Sequence, residues 1–382
     1  MDLRLNAEQE AMRKLVRQFA RDIITPQAGQ IDEKDEFPRH IVKQMATLGL
    51  LGLPIPEEWG GIGADYLSYM LAIEEISYAS AALGVILAVH TSVGTMPILS
   101  FGSEWQKRAY VPRLAEGVWL GAFALTEPGA GSDVRSIQTR AVLEADHYLI
   151  SGSKVFITNG GEADLYTIFA VTESEAGERQ LSAFLVERET PGFSIGRKER
   201  KMGLNGSSTA QLLFEDMRVP IRQRLGEEGQ GFMIAMSQLD GGRIGIAAQA
   251  LGIARAAFDA ALLYTQERRQ FGRSISDFQG VQVMLADMAT SIEAARALTY
   301  RAAILRGEKR PCTMEASMAK LYATDAAMRI TTDAVQLFGG YGYTKDFPVE
   351  RFMRDAKVTQ IYEGTNQIQR VVIAKELERR SR

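Results

Sequence analysis

The strongest constraint on this chain is a change of texture in its first half. From Trp119 to about Arg222 come short runs rich in β-branched and aromatic residues: "LGAFALT", "HYLISGSKVFITN", "LYTIFAVT", "LSAFLVE" and "TAQLLFEDMRVP". Gly, Asn and charged turns separate them. Strands without intervening helices argue against a doubly wound sheet and for an antiparallel barrel or sandwich. On both sides the pattern is helical. The expected architecture is α+β in three domains: N-terminal helices over 1–118, a middle β domain over 119–222, and a C-terminal bundle of long helices over 223–382.

Local signals place the helices. Asn6 followed by Gln9 reads as a capping box before "MRKLVRQFARDII", which Pro26 closes. Helical stretches follow through "IVKQMATLG" and "LAIEEISYASAALGVILAVHTSVG", with the Pro/Gly loop "PIPEEWGGIGAD" between them. "WQKRAYVPRLAEG" reads as the last short helix of this unit. Beyond "GEEGQGF", Ser276 and Gln279 read as a second capping box, opening a helix toward Leu305. Another runs from about Thr313 to Phe338 and stops at Gly339-Gly340. Thr365 reads as the N-cap of a final helix through "IQRVVIAKELER".

Composition narrows the function. The 382 residues are 46% hydrophobic and 24% charged, with a net charge of −3. That near-neutral balance argues against general nucleic-acid binding. No apolar run is read as approaching the roughly 20 residues of a spanning helix. The N-terminus lacks the apolar core of a secretion signal. One cysteine, Cys312, permits no internal disulfide, so a reducing compartment, the cytoplasm, is expected. The three histidines His40, His90 and His147 are too far apart in sequence for metal-ligand spacing, so no metal is expected.

Two glycine-rich loops stand out. "TEPGAGSDV", Thr126 to Val134, lets backbone N–H groups approach a flat or anionic ligand without Cβ obstruction. No βαβ unit surrounds it, so it is not a dinucleotide fingerprint. Alone it reads equally as a plain turn. "FGGYGYTKDFPVE" likewise reads equally as a ligand loop or as the mere end of a helix. Near the C-terminus, "IYEGTNQIQR" sets the carboxylate Glu363 just before a helix start. It reads as a solvated charge, an arginine's partner, or a base.

Five stretches in fixed order are more specific: "ALTEPGAGSDV", "KVFITNGG", "ERRQFG", "QLFGGYGY" and "MRDAKVTQIYEGTNQIQR". With the helix–β–helix order, the chain resembles the acyl-CoA dehydrogenase family over essentially its whole length, and its short-chain, butyryl-CoA branch most. The resemblance implies FAD held between the β domain and the C-terminal helices. Phe123, Leu125, Thr126, Gly131 and Ser132 match positions at the isoalloxazine or ribityl chain, and Ser132 also touches acyl-CoA. Phe156 and Thr158 match positions at the ring face and the N5 edge. Arg268, Phe271 and Gln279 match the pyrophosphate and adenine side. There, as with Gln336, Gly339 and Gly340, a neighbouring subunit contributes, implying a homotetramer. Thr365 and Gln367 complete the cofactor site. Asp240 to Arg243, "DGGR", line the CoA channel.

Glu363 matches the family's catalytic base. The implied reaction removes an α-proton from a thioester while a β-hydride passes to flavin N5, giving a trans-2-enoyl-CoA. Electrons then pass to electron-transfer flavoprotein, as in fatty-acid β-oxidation. Gly364 is expected to let substrate approach closely. The helix dipole beyond Glu363 favours its ionised form, while burial is expected to outweigh the dipole and raise its basicity. Some branches carry the base at the position of Gly242, which here is glycine. "MPIL", Met96 to Leu99, is close to the short-chain pattern, favouring C4 to C6 straight acyl groups. A branched short-chain substrate such as isobutyryl- or 2-methylbutyryl-CoA, an oxidase using O₂, and a non-catalytic acyl-CoA-binding protein are the alternatives.

Several residues also have plain structural readings. Arg243 and Arg268 read equally as partners of acidic helix faces, and for Arg354, beside Asp355, that structural reading is preferred. Glu74 and Glu75 point about 100° apart on a helix and do not converge on one substrate. His90 reads equally as a pocket residue or a satisfied core histidine. Met-rich "MAKLYATDAAM" and Cys312 read as packing.

Overall fold

The computed structural model describes residues 4–174 and 176–381. The N-terminal part holds α1 (Ala7–Phe19), α2 (Ala28–Lys34), α3 (Arg39–Thr47), α4 (Tyr66–Ala79), α5 (Ala81–Val89), α6 (Met96–Phe101) and α7 (Glu104–Ala115). The Asn6–Gln9 capping box opens α1 as expected. Pro26 does not end it. The coil runs on through a π-turn, Ala20–Ile24, and a 3-10 turn, Thr25–Gln27, into α2. Pro26 lies at the first turn of that 3-10 segment, where a missing N–H is tolerated. The apolar stretch 71–94 is also not continuous: Ser80 turns to φ −152, leaves α4 and caps α5 with its side chain.

Among the described residues, eight strands make the middle sheet: β1 (Gly121–Ala124), β2 (Arg140–Glu144), β3 (His147–Thr158), β4 (Leu165–Glu173), β5 (Arg179–Glu187), β6 (Phe193–Lys198), β7 (Thr209–Pro220) and β8 (Arg224–Leu225). Their order is β6-β7-β3-β2-β4-β5-β8, with β1 also on β4. Most pairs are antiparallel, but β1 and β2 run parallel to β4, so the sheet is mixed. The β2–β3 hairpin reverses the chain and β4 reverses it again, returning it to the direction of β2.

The C-terminal part consists of α8 (Gly231–Glu267), a two-stranded hairpin of β9 (Arg269–Gln270) and β10 (Arg273–Ser274), α9 (Gln279–Gly307), α10 (Thr313–Phe338), α11 (Val349–Thr359) and α12 (Asn366–Arg380). Ser276 does not cap α9. Its hydroxyl meets that of Ser274, and extended Phe278 precedes the helix without a side-chain cap. Thr365 caps α12 as expected, accepting from the Ile368 N–H at 3.3 Å.

Among the described residues, two helical runs are long and apolar enough to cross a membrane, contrary to expectation: Ala81–Phe101 and Gly231–Glu267, with mean hydropathy 1.7 and 1.4. Their apolar windows are 89% and 67% buried in the protein, which accounts for the composition through packing. The first belongs to a core shared by α1, α4, α5, α8, α9 and α10. Inside that core, Glu74 and Glu75 are 1% and 2% exposed. Arg255 bonds both, Arg13 and Arg17 hold Glu75, and Tyr300 donates to Glu74. These carboxylates are structural.

A second core joins the N-terminal helices to the sheet and the start of α8 through Tyr110, Leu114, Leu125, Phe169 and Ile234. His90 sits at this junction, fully buried. Its Nε2 is 3.0 Å from the Leu114 carbonyl and its Nδ1 accepts the Gly121 N–H at 3.0 Å. The ring is a satisfied core histidine, and burial lowers its pKa to about 4. Cys312 is buried at the entrance of α10, its thiol pushed up to about 11 by burial. Arg354 pairs with Glu350 on its own helix and with Asp32, the acidic pairing expected of it, while the carboxylate of the neighbouring Asp355 accepts the Leu204 N–H at 2.6 Å. Asp355 points into the protein while its neighbour turns outward.

Candidate active site

The site forms where sheet, α8 and the turn before α12 meet. From the sheet side, the glycine loop is pinned to β3. Lys154 is fully buried and donates to the Leu125 carbonyl at 3.0 Å and to Glu127 Oε1 at 2.8 Å. Glu127 in turn accepts the N–H groups of Gln138 and Thr139 at 2.6 and 3.0 Å, closing both ends of the loop. Next to Lys154, the β3–β7 register shifts between Lys154 and Ile157. Phe156 there has φ +57 and is 65% exposed, as an outward-turned residue at an irregular strand position can be. Neither Lys154 nor Glu127 stands out in the sequence, because a buried ion pair leaves no periodicity to read.

From the helical side, Glu363 occupies the left-handed region at φ +53, followed by Gly364 at φ +85. A carboxylate-bearing residue held there marks local strain. Glycine at 364 answers that backbone geometry, and a Cβ would also lie 2.6 Å from Gln369 Nε2. Close approach of a ligand is not needed to explain it. The turn is tied down by buried groups. Gln369 Nε2 donates to the carbonyls of Glu363 and Gly364 at 3.1 and 2.9 Å, and Lys320 Nζ to that of Gly364 at 2.8 Å. Lys320, on α10 within the Met-rich stretch expected to be packing, is indeed fully buried, but its amine reaches the candidate site.

The Glu363 side chain faces α8. Its Oε2 is buried and makes no hydrogen bond. Burial pushes the carboxyl up to about 7, against the opposing charges of Arg243 and Lys320. The carboxylate lies against Gly242, where a Cβ would stand 2.5 Å from Oε2. Only glycine at 242 leaves the carboxylate where it is. Arg243 is oriented by Asp240, whose oxygens accept from Arg243 at 2.9 Å and from Thr313 at 2.6 Å. Burial raises the Asp240 carboxyl. Both of its oxygens are engaged, so it is a poor rival base. On the neighbouring residue, the Tyr362 hydroxyl donates to Gln249.

These groups share one cavity of about 240 Å³. Phe123, Leu125, Thr126, Gly131, Ser132, Phe156 and Thr158 line it from the sheet, and Arg243, Glu363 and Gly364 from the helices. Val89, Val93, Ile246 and Tyr362 add an apolar wall. Arg268, Gln336, Gly339 and Gly340 line a second cleft of about 540 Å³ with Tyr264 and Tyr341. Phe271, at the hairpin tip, is 93% exposed. Asp240, Gln279, Thr365 and Gln367 line neither space. Asp240 sits behind Arg243, Gln279 and Gln367 are exposed on the first turns of α9 and α12, and Thr365 is the helix cap.

The architecture and the cavity define a class in which two helical units and a middle sheet enclose one site. Family models match all three parts: "Acyl-CoA dehydrogenase, N-terminal domain" over residues 6–118, the middle domain over 122–217 and the C-terminal domain over 229–378. The chain belongs to the acyl-CoA dehydrogenase family. The short-chain-specific acyl-CoA dehydrogenase of Clostridium acetobutylicum is 54% identical over 374 residues, covering 98% of this chain and 99% of that protein. The structure of butyryl-CoA dehydrogenase from Megasphaera elsdenii is 47% identical with a TM-score of 0.96, covering 99% of this chain and 100% of that one. A chain in the structure of the electron transferring flavoprotein of Acidaminococcus fermentans is 51% identical with a TM-score of 0.97, each chain 99% covered.

Proposed function

We propose that this protein oxidises a short-chain acyl-CoA between C2 and C3 to the trans-2-enoyl thioester, with Glu363 taking the C2 proton. One observation carries the reading. A carboxylate with a buried, unpaired oxygen shares a cavity with the exposed ring of Phe156 and the hydroxyl-bearing Thr158. A base needs a free lone pair, a dry setting that raises its basicity, and an acceptor site opposite.

FAD fits this lining. Phe123, Leu125 and Phe156 offer apolar contacts to a conjugated ring, and Thr126, Ser132 and Thr158 offer hydroxyls at its edges. An added Cβ at Gly131 meets nothing within 4 Å, so the loop backbone lies open on the cavity side. When bound, the flavin supplies the acceptor for the C3 hydride. Arg268, Gln336, Gly339 and Gly340, with exposed Phe271 and Gln279, would hold the pyrophosphate and adenine end belonging to a neighbouring subunit of a homotetramer. Thr365 and Gln367 would bound the cofactor on the α12 side.

The chain's own groups then act on substrate. Glu363 Oε2 accepts the C2 proton. Among the described residues, the Glu363 N–H donates to no protein acceptor, leaving it free for the thioester oxygen, where negative charge develops. Arg243 and Lys320 balance the carboxylate, and Val89, Val93 and Ile246 exclude water. Tyr362, tied to Gln249, would close the acyl end, and the likeness to butyryl-CoA dehydrogenase supports a short chain. The likeness to a chain from the electron transferring flavoprotein structure supports such a flavoprotein as electron acceptor.

Anaerobic titration of the FAD-loaded protein with butyryl-, isobutyryl- and octanoyl-CoA tests this. Butyryl-CoA is expected to bleach the flavin most completely. Bleaching by none of them would overturn the activity, and a preference for octanoyl- or isobutyryl-CoA would overturn the substrate assignment.

A further inference from the structure

Lys320 is fully buried, yet among the described residues no carboxylate lies within ion-pair distance of it. A buried ammonium is costly without compensation. Its compensation here is specific: Nζ donates to the Gly364 carbonyl and to Asn366 Oδ1, both at 2.8 Å. Asn366, the first residue of α12, is itself fixed by Thr324 and Asp325 of α10 at 2.9 and 2.7 Å. The lysine therefore joins α10 to both the strained turn and the start of the helix that follows it.

Resting on the reading of Glu363 as the base, we propose that Lys320 is its positioning residue: it clamps the Glu363–Gly364 turn from the α10 side and holds its amine behind the carboxylate. A purely structural lysine would matter only to folding. A positioning lysine also controls the proton affinity of the group it faces. Burial drives the Glu363 carboxyl up to about 7 and the Lys320 amine down to about 7, while each opposes the other's shift, so the two groups exchange charge in the same pH range. The charged and titratable groups facing Glu363 are Arg243 from α8, Lys320 from α10, Tyr66 from α4 and the adjacent Tyr362. Asp240 stands behind Arg243, and Asp325 faces Lys320.

The test is an infrared pH titration of the FAD-loaded protein without substrate, following the protonated-carboxyl band that disappears in Glu363→Gln. In Lys320→Met the midpoint of that band is expected to rise by about one pH unit or more, the effect of removing a nearby opposite charge. With butyryl-CoA, its kcat at pH 7 is expected to fall about fivefold or more and to recover toward higher pH, with KM little changed. Lys320→Arg, which keeps the charge, is expected to return the midpoint toward the wild-type value. Should Lys320→Met not fold, Lys320→Gln carries the same expectation. An unmoved midpoint in the neutral variants would overturn this inference alone. Full turnover by Glu363→Gln would overturn the base itself, and this inference with it.

Discussion

At the scale of single residues, the candidate base depends on an empty space. Gly242 leaves room for the Glu363 carboxylate, and a methyl group there would stand 2.5 Å from Oε2. Gly242→Ala is therefore expected to displace the carboxylate and lower kcat by about tenfold or more. Stability should hold or rise, because Ala favours a helix interior over Gly by about 1 kcal/mol. Turnover and a urea melt together check this. The pH dependence follows from the raised Glu363 carboxyl. The base works only when ionised, so kcat/KM is expected to climb as pH rises through about 7. The stability linkage has the opposite sign. Between the ordinary carboxylate range and about 7 the folded state holds a proton the unfolded state has lost, so this group's contribution weakens as pH rises. A kcat/KM profile flat down to pH 5 would contradict the assignment. Glu363 was legible in the sequence because a short motif surrounds it. Lys320 was not, because its hydrogen-bond partner lies 44 residues away and a lysine among apolar residues has no local signature.

At the scale of elements, the glycine loop and β3 act as one unit through Lys154 and Glu127. Lys154→Ala leaves Glu127, 5% exposed, without its cation. Removing one partner of such a pair is expected to cost about 3–5 kcal/mol. Urea unfolding measures the loss, and weaker FAD retention should accompany it because the loop lines the cavity. Helix ends were legible where side chain and backbone answer each other, as at Asn6 and Thr365. They misled at Ser276, whose hydroxyl finds Ser274 inside the turn. The strand runs were legible from their texture. The parallel pairing of β1 and β2 with β4 was not, because direction depends on how many times the chain reverses between strands.

At the scale of the whole molecule, helices and sheet share cores that meet at the cavity, while a few aromatic side chains near the second cleft and the hairpin stay outside. Phe271 and Tyr343 are 93% and 90% exposed, and Tyr341 is half exposed beside the second cleft. Such surface asks for a partner. Sedimentation is expected to give four times the 42.1 kDa of one chain, with Phe271→Ser shifting the distribution toward smaller species and weakening FAD retention. A monomer with full FAD content would contradict that expectation. The central claim concerns one proton. FAD-loaded Glu363→Gln, mixed anaerobically with butyryl-CoA beside the wild-type protein, tests it most directly. The wild type should bleach, while the variant should bind the thioester and keep its flavin colour. Bleaching of the variant at the wild-type rate would contradict the account.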